Sequence, residues 1–358
     1  MRFWSHPKSC STGRSLRGAA SAPTVGRAVG DTLWVEGLED RCVPATGLGP
    51  QLDVDPVDAG AADVTASVSG GFALDGIGLY RPSAAEFVFN TSNVFEFDAN
   101  QVFSIGFGSV GDQGFVGDFT GDGVPNVAVY RDISPTEPGF FIINTSPINQ
   151  FDPNAFVTTP QIGNGDEVVF AGDWSGDGID GLGLYRNADA TYVTIGLPAI
   201  SAGQTGEITL GAIHNIVFGN PSSTGNPTDP PAVGSFRSDY AADQIGFGAQ
   251  GTLDLADVDI STLPAGNHSI TEFFNPEPTV FGTTGDMQIA GEWVEDDNGL
   301  DQRAVFRVDT STFSISSGSQ PNIGFGVAGD VGIAGRWVGL SLEAASEEGL
   351  IDQFFEEL

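Results

Sequence analysis

The sequence predicts an all-β fold built from five similar sheets, and three observations lead there. Its 358 residues include 50 Gly and 21 Pro, a composition of short strands and tight turns rather than of long helices. From about residue 67 three landmarks recur in a fixed order, the mark of a repeat architecture. Between the landmarks, stretches such as Glu86–Thr91, Gly139–Thr145 and Thr191–Gly196 alternate with the period of two that strands require.

The chain opens on residues 1–45, a Ser-, Gly- and Ala-rich leader that carries Arg2, Lys8, Arg14, Arg17, Arg27 and Arg41. It lacks the apolar stretch of about 7 to 15 residues of a secretory signal, so it does not define an export route. Residues 46–66, with Asp53, Asp55, Asp58 and Asp63 among Ala, Gly and Pro, read as an acidic flexible linker. Both segments are expected to stand outside the folded body.

Residues 67–340 hold the repeats. One landmark is a small apolar strand ending in arginine: Asp75–Arg81, Asn126–Arg131, Asp180–Arg186 and Asp301–Arg307, with a weaker copy at Asp243–Ala249. The aligned Tyr80, Tyr130, Tyr185, Gly248 and Phe306 are 50 to 63 residues apart. A second landmark precedes this strand, at Gly117-Asp118-Phe119, Gly172-Asp173-Trp174, Gly234-Ser235-Phe236, Gly291-Glu292-Trp293 and Gly335-Arg336-Trp337. A third precedes the second and begins at Phe107, Ile162, Phe218, Phe281 and Phe325. Each repeat thus supplies about four short strands, and a sheet of that size cannot bury both faces alone. Radial stacking solves this, which predicts a five-bladed β-propeller of four antiparallel strands per blade. No arginine-ended strand follows Trp337, and only a degenerate landmark at Gly71 and Phe72 precedes the first one. The N-terminal strand is therefore expected to complete the last blade and close the ring. Residues 341–358 form an acidic tail in which Leu350, Ile351, Phe354, Phe355 and Leu358 share one side of a helix.

With 40% hydrophobic residues and 26 Phe, the chain can bury a sizeable core. The 47 acidic residues against 13 basic ones, for a net charge of -34, repel nucleic acid and anionic membrane. No run approaches the roughly 18 apolar residues of a membrane span, and Cys10 and Cys42 lie too early to staple the repeats. A monomeric propeller without membrane insertion is expected. Catalytic signals are sparse: His6, His214 and His268 are isolated, and neither a nucleophile elbow nor a zinc-protease motif occurs. No catalytic or cofactor-binding residues are assigned, and the chain is read as a non-enzyme.

The segment Gly37–Ala45, containing Leu38-Glu39-Asp40-Arg41, is similar to the LEDR or LEPR-type element near the start of predicted surface proteins of planctomycete bacteria. The residues after the second landmark, Asp118–Asn126 and Asp173–Gly181, resemble the calcium loops of FG-GAP repeats in integrin alpha subunits and bacterial VCBS-type proteins, over roughly residues 67 to 340. That resemblance implies calcium at Asp118, Thr120, Asp122 and Asn126, and at Asp173, Ser175 and Asp177, with Asp180 one place early for the ninth loop position. Glycine in mid-loop permits the sharp turn such sites need; the alternative is a plain Asx turn. Arg81, Arg131, Arg186 and Arg307 share one repeat position and are expected to tie neighbouring blades through acidic loops or carbonyls, rather than to form a ligand-binding ring.

These features imply a non-catalytic extracellular or cell-surface binding or adhesion scaffold with a protein or glycan partner, stabilised by calcium. The alternatives are a polysaccharide-active enzyme using carboxylates in the propeller funnel, and a purely structural envelope protein.

Overall fold

A computed structural model describes residues 74–340, apart from 133, 135–136, 166, 220–230, 250–251, 277–280, 284, 295–298 and 317–321. The leader with its LEDR-type element, the linker, the Gly71–Phe72 landmark and the C-terminal tail lie outside the described residues.

The repeats fold into five sheets. The first holds β1 (Gly76–Arg81), β2 (Glu86–Asn90) and β3 (Val102–Gly106), and the second holds β4 (Gln113–Gly117), β5 (Asn126–Arg131), β6 (Phe140–Asn144) and β7 (Phe156–Thr158). The third runs through β8 (Val168–Gly172), β9 (Gly181–Arg186) and β10 (Thr191–Ile195) and then, after β11 (Gly206–Glu207), through β12 (Ile213–Phe218). The fourth comprises β13 (Ala232–Gly234), β14 (Gln244–Ala249) and β15 (Thr252–Ala256) and, after β16 (Gly266–Ile270), β17 (Phe273–Phe274). The fifth comprises β18 (Met287–Gly291), β19 (Gln302–Arg307), β20 (Thr312–Ile315) and β21 (Ile323–Gly324). The last strand, β22 (Val331–Gly335), returns to the first sheet and pairs antiparallel with β1, Gly76 opposite Gly335 and Tyr80 opposite Val331. The ring is closed by the two ends of the repeat region, and the chain is a five-bladed β-propeller.

Two blades carry a fifth strand. β11 belongs in sequence to the third repeat but adds in parallel to β7 of the second blade, and β16 of the fourth repeat adds in parallel to β12 of the third. Each extra strand lies in a long excursion between strands of its own repeat, and each covers a blade edge that would otherwise leave unpaired backbone groups.

The core consists of apolar layers between blades. Phe115, Tyr130 and Phe141 of the second blade meet Val169, Leu184 and Ile195 of the third. Tyr80, Phe87 and Phe89 of the first meet Val127 and Val129 of the second. Close approach explains glycine at Gly114, where a Cβ would stand 2.3 Å from the Tyr80 ring. Among the described residues, the layer between the fourth and fifth blades is the smallest, around Ala232, Phe236, Leu253 and Leu255. Here Gly248 replaces the recurrent aromatic residue, and the side chain of Gln288 fills the space against it.

Candidate functional site

The inner strands β4, β8, β13, β18 and β22 follow one another around a central channel. Val116, Ala171, Val233, Ala290 and Ala334 occupy one repeat position on these strands, just before the second-landmark glycine. Four of them, Val116, Ala171, Val233 and Ala334, border two chambers. On one side lies an apolar chamber of about 480 Å³, lined among others by Phe115, Val169, Phe170, Ile289 and Ile333. On the other lies a polar chamber of about 330 Å³, lined by Asp75, Asp180, Asp243, Asp301 and Arg336.

Those four aspartates precede the second strand of their blades, and each makes the same two-bond clamp to the preceding blade. The Asp180 N–H donates to the Asp118 carbonyl (2.9 Å), while the Asp118 N–H donates to Asp180 Oδ2 (2.7 Å). Asp243 repeats this with Asp173 (2.9 and 2.9 Å), Asp301 with Ser235 (2.8 and 2.7 Å), and Asp75 with Glu292 (2.9 and 2.7 Å). At the fifth junction Pro125 takes the aspartate's place, with neither an N–H nor a carboxylate, opposite Arg336. Gly117 must lack a side chain because a Cβ would press on Asp180 Oδ2 at 2.9 Å.

The chamber leaves these carboxyls some solvent but surrounds them with protein. Desolvation raises all four: Asp243 is pushed up to about 6, Asp75 is raised too, and Asp180 and Asp301 are driven well above the ordinary carboxylate range. The neighbouring aspartates add to the rise, and bonds from backbone N–H groups and the Arg336 charge oppose it. Arg336 is itself half-exposed and lies 3.8 Å from Glu292 Oε2.

The Asp-Gly loops lie beside the same chamber, Asp118 and Asp173 among its lining. Asp118 accepts hydrogen bonds from the N–H groups of Gly121 (2.7 Å), Asp122 (3.2 Å) and Gly123 (2.7 Å), and Asp122 accepts one from Val124 (2.9 Å). Asp173 does the same with Ser175, Gly176, Asp177 and Gly178, and Asp177 accepts from Ile179. Asp122, Ser175 and Asp177 are exposed, and Thr120 is half-buried. The remaining two expected ligands make hydrogen bonds of their own, Asn126 Oδ1 within its loop and Asp180 outside it. Asn126 is buried, accepts from the Phe119 N–H (3.1 Å) and donates to the Ser146 carbonyl (2.9 Å). Asp180 turns to the Asp118 backbone rather than to its own loop. Among the described residues, no group of three or more His, Cys, Asp or Glu side chains is gathered to hold a metal ion.

No family model matches this chain, and no curated protein is similar to it at a significant level.

The recurrent arginines bind acidic landmark residues, but within a blade rather than between blades. Arg131 pairs with Asp112 (2.7 Å), Arg186 with Glu167 (3.5 Å) and Arg307 with Asp286 (3.4 Å), each joining the end of the second strand to the loop before the inner strand. Arg81 grips Asp330 through Nε (3.0 Å), which ties the first strand to the last. The reason is register: antiparallel pairing places the end of the second strand beside the start of the first. Tyr80 and Tyr130 instead reach the next blade, their hydroxyls donating to the carbonyls of Asp112 (3.0 Å) and Ile162 (2.7 Å).

Sequence reasoning did not single out the aspartate quartet as a group. The signal was present, since Asp75, Asp180, Asp243 and Asp301 all stand immediately before the repeated strand.

Proposed function

We propose that the chain is a non-catalytic binding or adhesion scaffold of the FG-GAP/VCBS type, working at or outside a bacterial cell surface, whose protein or glycan partner docks on loops at one end of the ring. The supporting observation is the pair of Asp-Gly loops on adjacent blades, which share one turn geometry and present Asp122 and Asp177 to solvent beside the carboxyls of Asp118 and Asp173. Rigidly clamped blades carrying exposed loops suit recognition. Calcium binds at Asp118, Thr120 and Asp122 and at Asp173, Ser175 and Asp177. With two carboxylates and a hydroxyl per loop, its affinity falls in the weak extracellular range, with Kd of about 10⁻⁴ to 10⁻³ M.

The experiment is a thermal melt in millimolar calcium, magnesium or chelator, together with a glycan array and pull-downs. A calcium-specific rise in Tm that Asp122→Ala and Asp177→Ala each diminish supports the metal, and a specific glycan or protein ligand supports the scaffold. No calcium-specific shift makes the loops plain Asx turns; no ligand in either screen favours a structural envelope role.

A second reading has one observation in its favour: four carboxyls with raised pKa line one chamber, the raw material for acid catalysis on a polysaccharide. Against it, every one of them already accepts a backbone N–H across a blade junction. Release of reducing sugar from a polysaccharide panel, abolished by Asp301→Asn, would establish it.

A further inference from the structure

The two chambers of the channel differ in character and share the rim of small apolar residues between them. The larger is walled mainly by Phe, Val and Ile, with Asp112, Asp132 and Glu167 also among its lining, and has a volume in the range that small organic ligands occupy. The smaller gathers Asp75, Asp180, Asp243 and Asp301 around one cation, Arg336. That cation has Glu292 beside it. The other arginines of the described residues are also engaged: Arg81, Arg131, Arg186, Arg237 and Arg307 in ion pairs, and Arg303 on Gln288.

From this charge distribution and the shape of the channel, we propose that the channel binds a compact amphipathic cation, with an aromatic or branched aliphatic body in the apolar chamber and an ammonium group reaching past the Val/Ala ring to the carboxylates. Transfer of the apolar body from water drives entry. Asp75 and Asp243, raised only to about 6 and so charged at pH 7.5, are walled by protein and attract the ammonium more strongly than carboxylates in open water do. An anion of the same shape meets four carboxyls and an arginine that already has an acidic partner. Val116, Ala171, Val233 and Ala334, which line both chambers, are all small.

An isosteric series tests this by calorimetry at pH 7.5: 1-naphthylmethylamine, 1-naphthalenemethanol and 1-naphthoate. The amine is expected to bind once per chain, the alcohol at least tenfold more weakly, and the carboxylate without saturation. Asp243→Asn retains an oxygen for the Asp173 N–H while removing a carboxyl that, raised only to about 6, is charged at pH 7.5, and is expected to weaken the amine about tenfold and leave the alcohol unchanged. Ala171→Phe narrows the ring and is expected to abolish amine binding in a protein that still melts cooperatively. Absence of saturable amine binding, equal affinity for amine and naphthoate, or an unchanged amine affinity in Asp243→Asn overturns the proposal. Should Ala171→Phe fail to fold, the comparison of ligands on Asp243→Asn decides alone. Amine binding in the channel and partner binding on the loops are separable, since Asp122→Ala and Asp177→Ala leave the channel lining intact.

Discussion

Replacing Asp243 with asparagine removes one titrating group while keeping its structural bond. Asp243 Oδ2 accepts the Asp173 N–H at 2.9 Å, and an amide oxygen accepts the same bond. In the folded protein desolvation, aided by the nearby charges of Asp173 and Asp75, lifts this carboxyl from 3.8 to about 6. The fold therefore favours the protonated form. Its contribution to stability is fully present below the unfolded value and is lost as pH rises through about 6. At 1.36 kcal/mol per pKa unit the loss amounts to about 3 kcal/mol, and water in the chamber reduces it to about 2 to 3 kcal/mol. The assay is urea unfolding of the parent and Asp243→Asn from pH 4 to pH 8. The parent should lose about 2 to 3 kcal/mol more than the variant across that window, and the variant should be the more stable protein at pH 8. Comparing the two removes the general self-repulsion of an acidic chain, which both share. A stability difference that is constant with pH, or that grows in the parent's favour towards pH 8, refutes the assignment of Asp243 as a carboxyl that the fold holds protonated.

Further expectations concern the layers between blades. Tyr130 is fully buried, packs against Phe141 with ring centroids 4.8 Å apart and bonds to the next blade, so Tyr130→Ala should cost about 3 to 5 kcal/mol in denaturant unfolding; a loss under about 1 kcal/mol would show that the residue does not join the sheets. Gly114→Ala should destabilise by about 1 to 3 kcal/mol through its clash with Tyr80, and much less in a Tyr80→Leu background; equal effects in both backgrounds would exclude that contact. Arg131→Met leaves the buried Asp112 without its cation and should lower stability by about 1 to 2 kcal/mol; a neutral result in the same unfolding assay would mean that the pair contributes only register.

Much of this architecture was legible because it repeats. The arginine-ended strand, the glycine landmark before it and the acidic turn before that recur in nearly every blade, so strand identity, blade count and closure at Trp337 could be read along the chain. The partners of the repeated residues were harder to read. Asp180 lies in a loop whose spacing suggests calcium, yet its carboxyl crosses to Asp118, 62 residues earlier in sequence. Only the ring geometry reveals that the residue before one blade's second strand meets the end of the previous blade's inner strand. The arginines misled in the opposite sense. Their acidic partners were visible in the landmarks, but pairing within a blade follows from antiparallel register, which single-strand patterns do not specify. β11 and β16 were hidden because their pairing depends on a neighbour's open edge, not on their own short sequences. The channel chambers depend on ring radius and on which inner-strand positions carry alanine, neither of which is a local property.

Ring closure is the claim on which the blade count, the channel and both chambers depend, and truncation tests it most directly. A chain ending at Leu340 retains β22 and its pairing with β1, whereas one ending at Gly329 removes β22, Trp337 and the Asp330 partner of Arg81. Cooperative thermal unfolding should persist in the first and disappear in the second, with near-ultraviolet circular dichroism lost alongside it. If the chain ending at Gly329 melts as cooperatively and at the same temperature as the longer one, the first and last strands do not close the ring.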